Sequence, residues 1–125
     1  MTLVTPKTRQ ALADMEPIFQ AVEAAMGFVP NSMLTMAHWP ELVQSFGGFA
    51  GGIIGGGELE RGLKQLIAFV VSNAAGCRYC QAHTSHSAEV NGVSPEKIQA
   101  AFEFETSALF TAAEKAALRV ALHAG

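Results

Sequence analysis

Apolar residues recur at every third or fourth position along most of the chain, which is the spacing of one face of an α-helix. The first such segment contains Pro17, which can restart the helix, and ends at Gly27. Two shorter helices should follow, one capped by Asn31 or Ser32 and the other carrying Pro40 in its first turn. The alternation typical of strands and hairpins is absent. The pattern therefore predicts an all-α chain.

The second half of the chain predicts a buried helix followed by several shorter ones. Residues 59–71 are apolar on more than one face, as expected for a central helix. Helix boundaries are then predicted at Gly76 before Cys77, at Asn91-Gly92, at Ser94 with Pro95, and at Thr111 with Glu114. We expect one helical bundle over residues 1–125, with about six or seven helices.

The segment "FGGFAGGIIGGGE" holds seven of the twelve glycines of the chain. It lacks the GxxxxGK[ST] pattern of a phosphate-binding loop, and no strand precedes it. A helix that frays into a loop by Gly55 to Gly57 is the favoured interpretation, with glycines that allow close helix packing as an alternative. We predict no cofactor.

Composition limits the partners and the compartment. Half of the 125 residues are hydrophobic and only 15% are charged, which is more apolar than a solvated monomer needs and predicts a homo-oligomer. The net charge is −3 and the basic residues are scattered, so nucleic acid is not an expected partner. We find neither a signal peptide at the start nor an apolar run long enough for a bilayer, and predict a cytoplasmic protein without a membrane partner.

The two cysteines, Cys77 and Cys80, are three residues apart at the predicted start of a helix. In a reducing compartment such a pair points to redox or metal chemistry, because a permanent disulfide is uncommon there. A helix amino terminus favours thiolate over thiol, and one helical turn brings both sulfurs within reach of a disulfide. One sulfur can then attack and the other resolve, although two cysteines that merely pack as small apolar residues remain an alternative.

A metal site is the other interpretation of this segment, because it spells C-x2-C-x2-H-x2-H through Cys77, Cys80, His83 and His86. On one helix, however, nine residues turn the direction by about 180°, so His86 points away from Cys77. Four such ligands cannot meet at one tetrahedral ion, and we predict no metal. A three-ligand site remains open, completed by Glu60, His38 or a neighbouring subunit.

The stretch "LKQLIAFVVSNAAGCRYCQAHT" resembles the core motif of the carboxymuconolactone decarboxylase family, and within it the branch of AhpD-like alkyl hydroperoxidases. "MGFVPNSMLTMAHWPELVQSF" is similar to the segment that leads into that motif, and the resemblance covers roughly residues 18 to 105. It implies an all-helical protomer that assembles into dimers, trimers or hexamers. It also implies reduction of hydroperoxides by the C-x-x-C pair, with an external dithiol or a protein as reductant.

The resemblance assigns a role to each residue of the motif. Cys80 would attack the peroxide and become a sulfenic acid, and Cys77 would resolve it to a disulfide. Two positions differ from the family pattern: Gln65 stands where a glutamate normally relays the thiol proton, and His83 lies one residue before the usual histidine position, which holds Thr84. The predicted catalytic set is therefore Cys80, Cys77, His83 and Gln65, with an altered proton relay.

Two other functions remain open from the sequence. One is a decarboxylase or lactone-processing enzyme in which histidines act on a small carboxylate and the cysteines are incidental. The other is a non-catalytic helical module that senses redox state or binds a metal. Glu58 and Glu60 are candidates for the missing carboxylate, and Tyr79 can hydrogen-bond a peroxide.

Overall fold

A computed structural model describes residues 3–125 as an all-helical structure. The described residues form seven α-helices and two short 3₁₀ segments, and they contain no strand, which confirms the predicted fold class. They group into two compact units, which meet in the chain at Gly57 and Glu58. In this part of the chain no helix has both the length and the apolar character that crossing a bilayer requires. A single domain over residues 1–125 stays a prediction.

The amino-terminal unit consists of a 3₁₀ segment at Arg9–Met15, α1 at Glu16–Met26, α2 at Asn31–Met36 and α3 at Pro40–Gly55. Gly27 ends α1 with a φ of 80°, as predicted. The predicted cap of α2 is wrong, because Asn31 already lies inside the helix and neither it nor Ser32 caps it. Pro30, with extended backbone, stands at the cap position instead. The end of α3 at Gly55 confirms the predicted change from helix to loop.

One apolar cluster holds this unit together. Its buried residues are Leu12, Met15, Phe19, Met33, Ala37 and Val43. Arg9 joins the 3₁₀ segment to α1 through ion pairs of 2.6 Å with Glu16 and 2.9 Å with Glu23. Both pairs are partly exposed, so we attribute the stability of the unit mainly to the apolar cluster.

The carboxyl-terminal unit consists of α4 at Arg61–Ala74, α5 at Arg78–Val90, α6 at Pro95–Gln99, a 3₁₀ segment at Ala100–Glu103 and α7 at Ala112–Ala124. The predicted boundaries are confirmed. Gly92 follows α5 with a φ of 87°. Ser94 caps α6 by accepting the N–H of Lys97 at 3.2 Å, and Thr111 forms a capping box with Glu114 at the start of α7.

Helix α4 is the centre of this unit and packs against both α5 and α7. The buried cluster around it is Leu66, Phe69, Val70, Ala101, Phe104, Phe110, Leu118 and Ala121. At Gly62 a Cβ atom would lie 2.8 Å from the carbonyl oxygen of Asn91, so the start of α4 approaches the end of α5 too closely for a side chain. This close packing fixes α5, the helix that carries both cysteines, against α4.

Candidate functional site

The turn between α4 and α5 determines where the cysteine pair lies. The N–H of Cys77 donates to the carbonyl of Ser72 at 2.9 Å, and the N–H of Gly76 donates to the carbonyl of Asn73 at 2.9 Å. Together with the φ of 69° at Gly76, these two bonds form a Schellman motif that closes α4. A residue with a Cβ is strained at that φ, so glycine suits the position. The next residue, Cys77, is therefore held at the point where α5 begins.

The two cysteines occupy the amino end of α5, as the sequence predicts. Cys77 is the N-cap residue, with φ −84° and ψ 93°, and its carbonyl accepts the N–H of Gln81 at 3.0 Å. Cys80 is the third residue of the helix. Both are free thiols and both are half-buried. The two thiols are thus one helical turn apart and reachable from solvent.

The surroundings of the two thiols differ. The backbone N–H of Cys80, followed by the Cys80 thiol, stabilises the Cys77 sulfur as a thiolate and lowers the pKa of Cys77 below its ordinary value. The hydrogen bond with the Cys77 side chain raises the pKa of Cys80, and burial and the negative charge of the Cys77 thiolate add to the increase. Of the two sulfurs, Cys77 is therefore the one that ionises more readily.

His83 lies one turn after Tyr79 on the same helix. Their rings are 5.8 Å apart at an angle of 41°, and the Tyr79 side chain is exposed. Burial, and secondarily the charge of His86, lower the pKa of His83 below its ordinary value. Since the ordinary value is already about 6.5, the imidazole is neutral at pH 7 and can accept a proton.

The structure places Gln65 and Thr84, which occupy the relay positions of the family pattern, on two neighbouring helices, α4 and α5. The hydroxyl of Thr84 donates to the carbonyl of Cys80 at 2.6 Å, which occupies it with the helix backbone. Gln65 is buried on α4. A catalytic role of Gln65 stays a prediction.

A cavity of about 640 Å³ lies on another face of α5. It is lined by Phe69, Ser85, His86, Glu89, Pro95, Glu96, Ile98, Gln99 and Phe102. His86 is thus part of a different surface from the cysteine pair, consistent with the helix geometry that separates it from Cys77. Within residues 3–125 no three histidine, cysteine or carboxylate side chains lie close enough to hold a metal ion.

Sequence reasoning missed two features of the site. The first is the role of Ser72, whose backbone carbonyl accepts the N–H of Cys77. Gly76, which directly follows the helical pattern of α4, was the sequence signal for this Schellman motif. The second is the unequal charge of the two thiols. Both cysteines lie at the same helix end, so only the positions of the surrounding N–H groups reveal that Cys77 is favoured as the thiolate.

We expect the two thiols to react with iodoacetamide over different pH ranges. Because alkylation requires the thiolate, Cys77 should be modified at a lower pH than an ordinary thiol, and Cys80 at a higher one. Peptide mass mapping of samples alkylated between pH 5 and pH 10 measures both profiles. In Cys80→Ser, which keeps the backbone N–H, the Cys77 profile should stay below that of an ordinary thiol. Earlier modification of Cys80 than of Cys77 would contradict the assignment.

Comparison with known proteins identifies one family and one group of solved structures. The model of the carboxymuconolactone decarboxylase family matches residues 40–123. The apo structure of the debrominase Bmp8 is 43% identical to this chain, with a TM-score of 0.89, and the alignment covers 98% of this chain and 66% of that one. A cysteine-to-alanine variant of Bmp8 in complex with 2,3,4-tribromopyrrole is also 43% identical to this chain, with a TM-score of 0.90. That alignment covers 98% of this chain and 65% of the Bmp8 chain. No curated protein matches.

Proposed function

The chain belongs to the carboxymuconolactone decarboxylase family and carries a C-x-x-C pair at a helix amino end. We propose that it is a dithiol-dependent oxidoreductase that removes halogen from a halogenated aromatic ring. The proposed substrate rests on one observation: this chain is 43% identical, over 98% of its length, to a debrominase crystallised with a tribrominated pyrrole. This chain spans 65–66% of the length of the two Bmp8 chains, and the activity is therefore a proposal for it.

The electron count of the reaction matches the cysteine pair. Replacing bromine on a ring by hydrogen is a two-electron reduction, and oxidation of two thiols to a disulfide releases two electrons. One thiolate and one thiol convert the carbon–bromine bond to a carbon–hydrogen bond and yield a disulfide and bromide. The thiol proton ends on the ring carbon, so no further reactant is needed. An external dithiol then reduces the disulfide for the next turnover.

The two sulfurs have separate roles in this reaction. Cys80 attacks the bromine and becomes a sulfenyl bromide while the ring carbon takes up a proton. Cys77 then attacks the Cys80 sulfur, the disulfide forms, and bromide leaves. The neutral imidazole of His83, three residues after Cys80 on the same helix, accepts the Cys80 proton as Cys80 attacks and passes it to the ring carbon. Cys77, the thiol that ionises more readily, then resolves the intermediate as the thiolate.

Reduction of hydroperoxides is the second candidate function. The same attack of Cys80 on a peroxide oxygen gives an alcohol and a sulfenic acid, and Cys77 then forms the disulfide with loss of water. One observation favours so small a substrate: the residues that line the cavity of the carboxyl-terminal unit include neither cysteine. A hydroperoxide needs only an accessible thiol pair, whereas an aromatic ring needs a surface to bind.

A substrate comparison on the wild-type protein tests the proposal. The reduced protein is mixed, without added reductant, with 2,3,4-tribromopyrrole, with the fully brominated pyrrole, or with cumene hydroperoxide. We expect one bromide released, and one ring bromine replaced by hydrogen, for each pair of thiols lost. Thiol loss with the peroxide alone would favour the second candidate. Reaction with none of the three would overturn both.

A further inference from the structure

We propose that the ring of Tyr79 binds the face of the halogenated substrate and makes the site selective for electron-poor rings. This role of Tyr79 rests on the proposed function, because an aromatic substrate is what its ring would hold. Tyr79 lies between the two cysteines in the sequence and is the only phenylalanine, tyrosine or tryptophan of α5. Of its surface, 60% is accessible to solvent.

Tyr79 shares one side of α5 with Cys80 and His83. Since each residue turns a helix by about 100°, these three residues fall within about 100° of its circumference, whereas Cys77 lies about 160° from Tyr79. All of them belong to one helix, so their positions around its axis are set by the helix itself. A ring held by Tyr79 therefore lies beside the attacking thiol and the imidazole that delivers the proton.

The contact with His83 orients the Tyr79 ring. The two ring centroids are 5.8 Å apart at an angle of 41°, and the residues are four positions apart, the spacing at which helical side chains meet. Because most of Tyr79 stays accessible, this contact leaves a face of the phenol ring open to a ligand. A side chain that is already oriented loses little conformational freedom when the ligand binds.

Attack on bromine determines how the substrate ring must lie. A thiolate approaches a halogen along the line of the carbon–halogen bond, and that bond lies in the plane of the aromatic ring. The substrate therefore presents its edge to Cys80, and its two faces stay available for other contacts. A neighbouring aromatic side chain suits such a face, because offset aromatic rings attract each other. Tyr79, next to Cys80 in the chain, is in place for this contact.

The electronic character of the two rings gives the selectivity. The face of a tyrosine ring carries partial negative charge. Bromine atoms withdraw electron density from a pyrrole, so the face of a brominated ring is less negative and repels the Tyr79 face less. Each bromine that is replaced by hydrogen weakens the stacking. We therefore expect the most heavily brominated ring to bind best and the product to leave more readily than the substrate.

Binding to Cys80→Ser, which lacks the attacking sulfur, tests this role apart from the reaction. Isothermal titration calorimetry compares 2,3,4-tribromopyrrole with 2,3,4-trimethylpyrrole, since bromine and methyl are similar in size but have opposite effects on the electron density of the ring. We expect the brominated ring to bind about tenfold more tightly. In this background Tyr79→Leu should remove most of that preference, whereas Tyr79→Phe, which keeps an aromatic ring, should retain it.

The matched control is Phe102→Leu in the same background. It removes another exposed aromatic ring of the carboxyl-terminal unit and should keep the preference for the brominated ligand. An unchanged preference in Tyr79→Leu, an equal weakening of both ligands there, the same loss in Phe102→Leu, or no binding of the brominated ring would each overturn the role of Tyr79. Bromide release by the wild type is measured separately. A preference that depends on Tyr79 would support this role even if no bromide were released, and only the proposed reaction would then fail.

Discussion

Replacing Cys80 with serine should lower dithiol-dependent turnover by at least about 10³-fold, because a serine hydroxyl neither ionises at neutral pH nor attacks a halogen or peroxide oxygen as a thiolate does. Turnover is measured as bromide or alcohol formed in the presence of excess dithiol. The matched control is Ala82→Ser, which adds a hydroxyl to an exposed position of the same helix and should keep wild-type activity.

Replacing the other cysteine, in Cys77→Ser, should have a different effect from Cys80→Ser. It retains the attacking sulfur, so each chain should give one equivalent of product and then stop, since no second sulfur resolves the intermediate. The Cys80 thiol of this variant should also ionise at a lower pH than in the wild type, because the hydrogen bond and the charge of Cys77 raise its pKa. The reverse pattern, with one equivalent from Cys80→Ser and none from Cys77→Ser, would assign the attack to Cys77. Full activity of Cys80→Ser would rule out the mechanism.

Leu118→Ala should lower the free energy of unfolding by about 2–5 kcal/mol. The Leu118 side chain is completely buried in the carboxyl-terminal cluster, on the helix α7 that packs against α4. Removing it takes away apolar contact and leaves a cavity that the neighbouring side chains fill only in part.

Denaturant unfolding followed by circular dichroism measures the change. The control is Val120→Ala on the same helix, which removes an exposed apolar side chain and should alter the free energy of unfolding by no more than about 0.5 kcal/mol. Equal losses in the two variants would show that burial at Leu118 does not stabilise the unit. Because α4 also supplies the Ser72 carbonyl that holds Cys77, Leu118→Ala should further make the cysteine turn easier to open.

Much of the fold follows from local signals in the sequence. Gly27 and Gly92 end helices because they adopt positive φ, and Thr111 with Glu114 begins one because both side chains satisfy backbone groups near them. The cap predicted at Asn31 or Ser32 failed because Pro30 already brings the chain into the helix. A polar residue next to a proline was therefore an ambiguous signal.

The candidate site was predictable in part. The spacing of Cys77 and Cys80, and their place at a helix start, follow from the sequence because both depend on neighbouring residues alone. The role of Gln65 did not follow, since a relay depends on which side chains of α4 meet α5. A hydroperoxide as substrate also remains a proposal, because the motif defines the reactive sulfur and not the molecule that reaches it.

The sequence by itself determined that this chain is helical, that its two thiols lie one turn apart at the amino end of a helix, and that it belongs with C-x-x-C proteins of its family. These properties arise from contacts between residues a few positions apart. Only the structure decided that Cys77 rather than Cys80 is the favoured thiolate and that His86 lines a separate cavity. The first property depends on the direction of the Cys80 N–H group at the start of α5, and the second on how α4, α5 and α6 pack together.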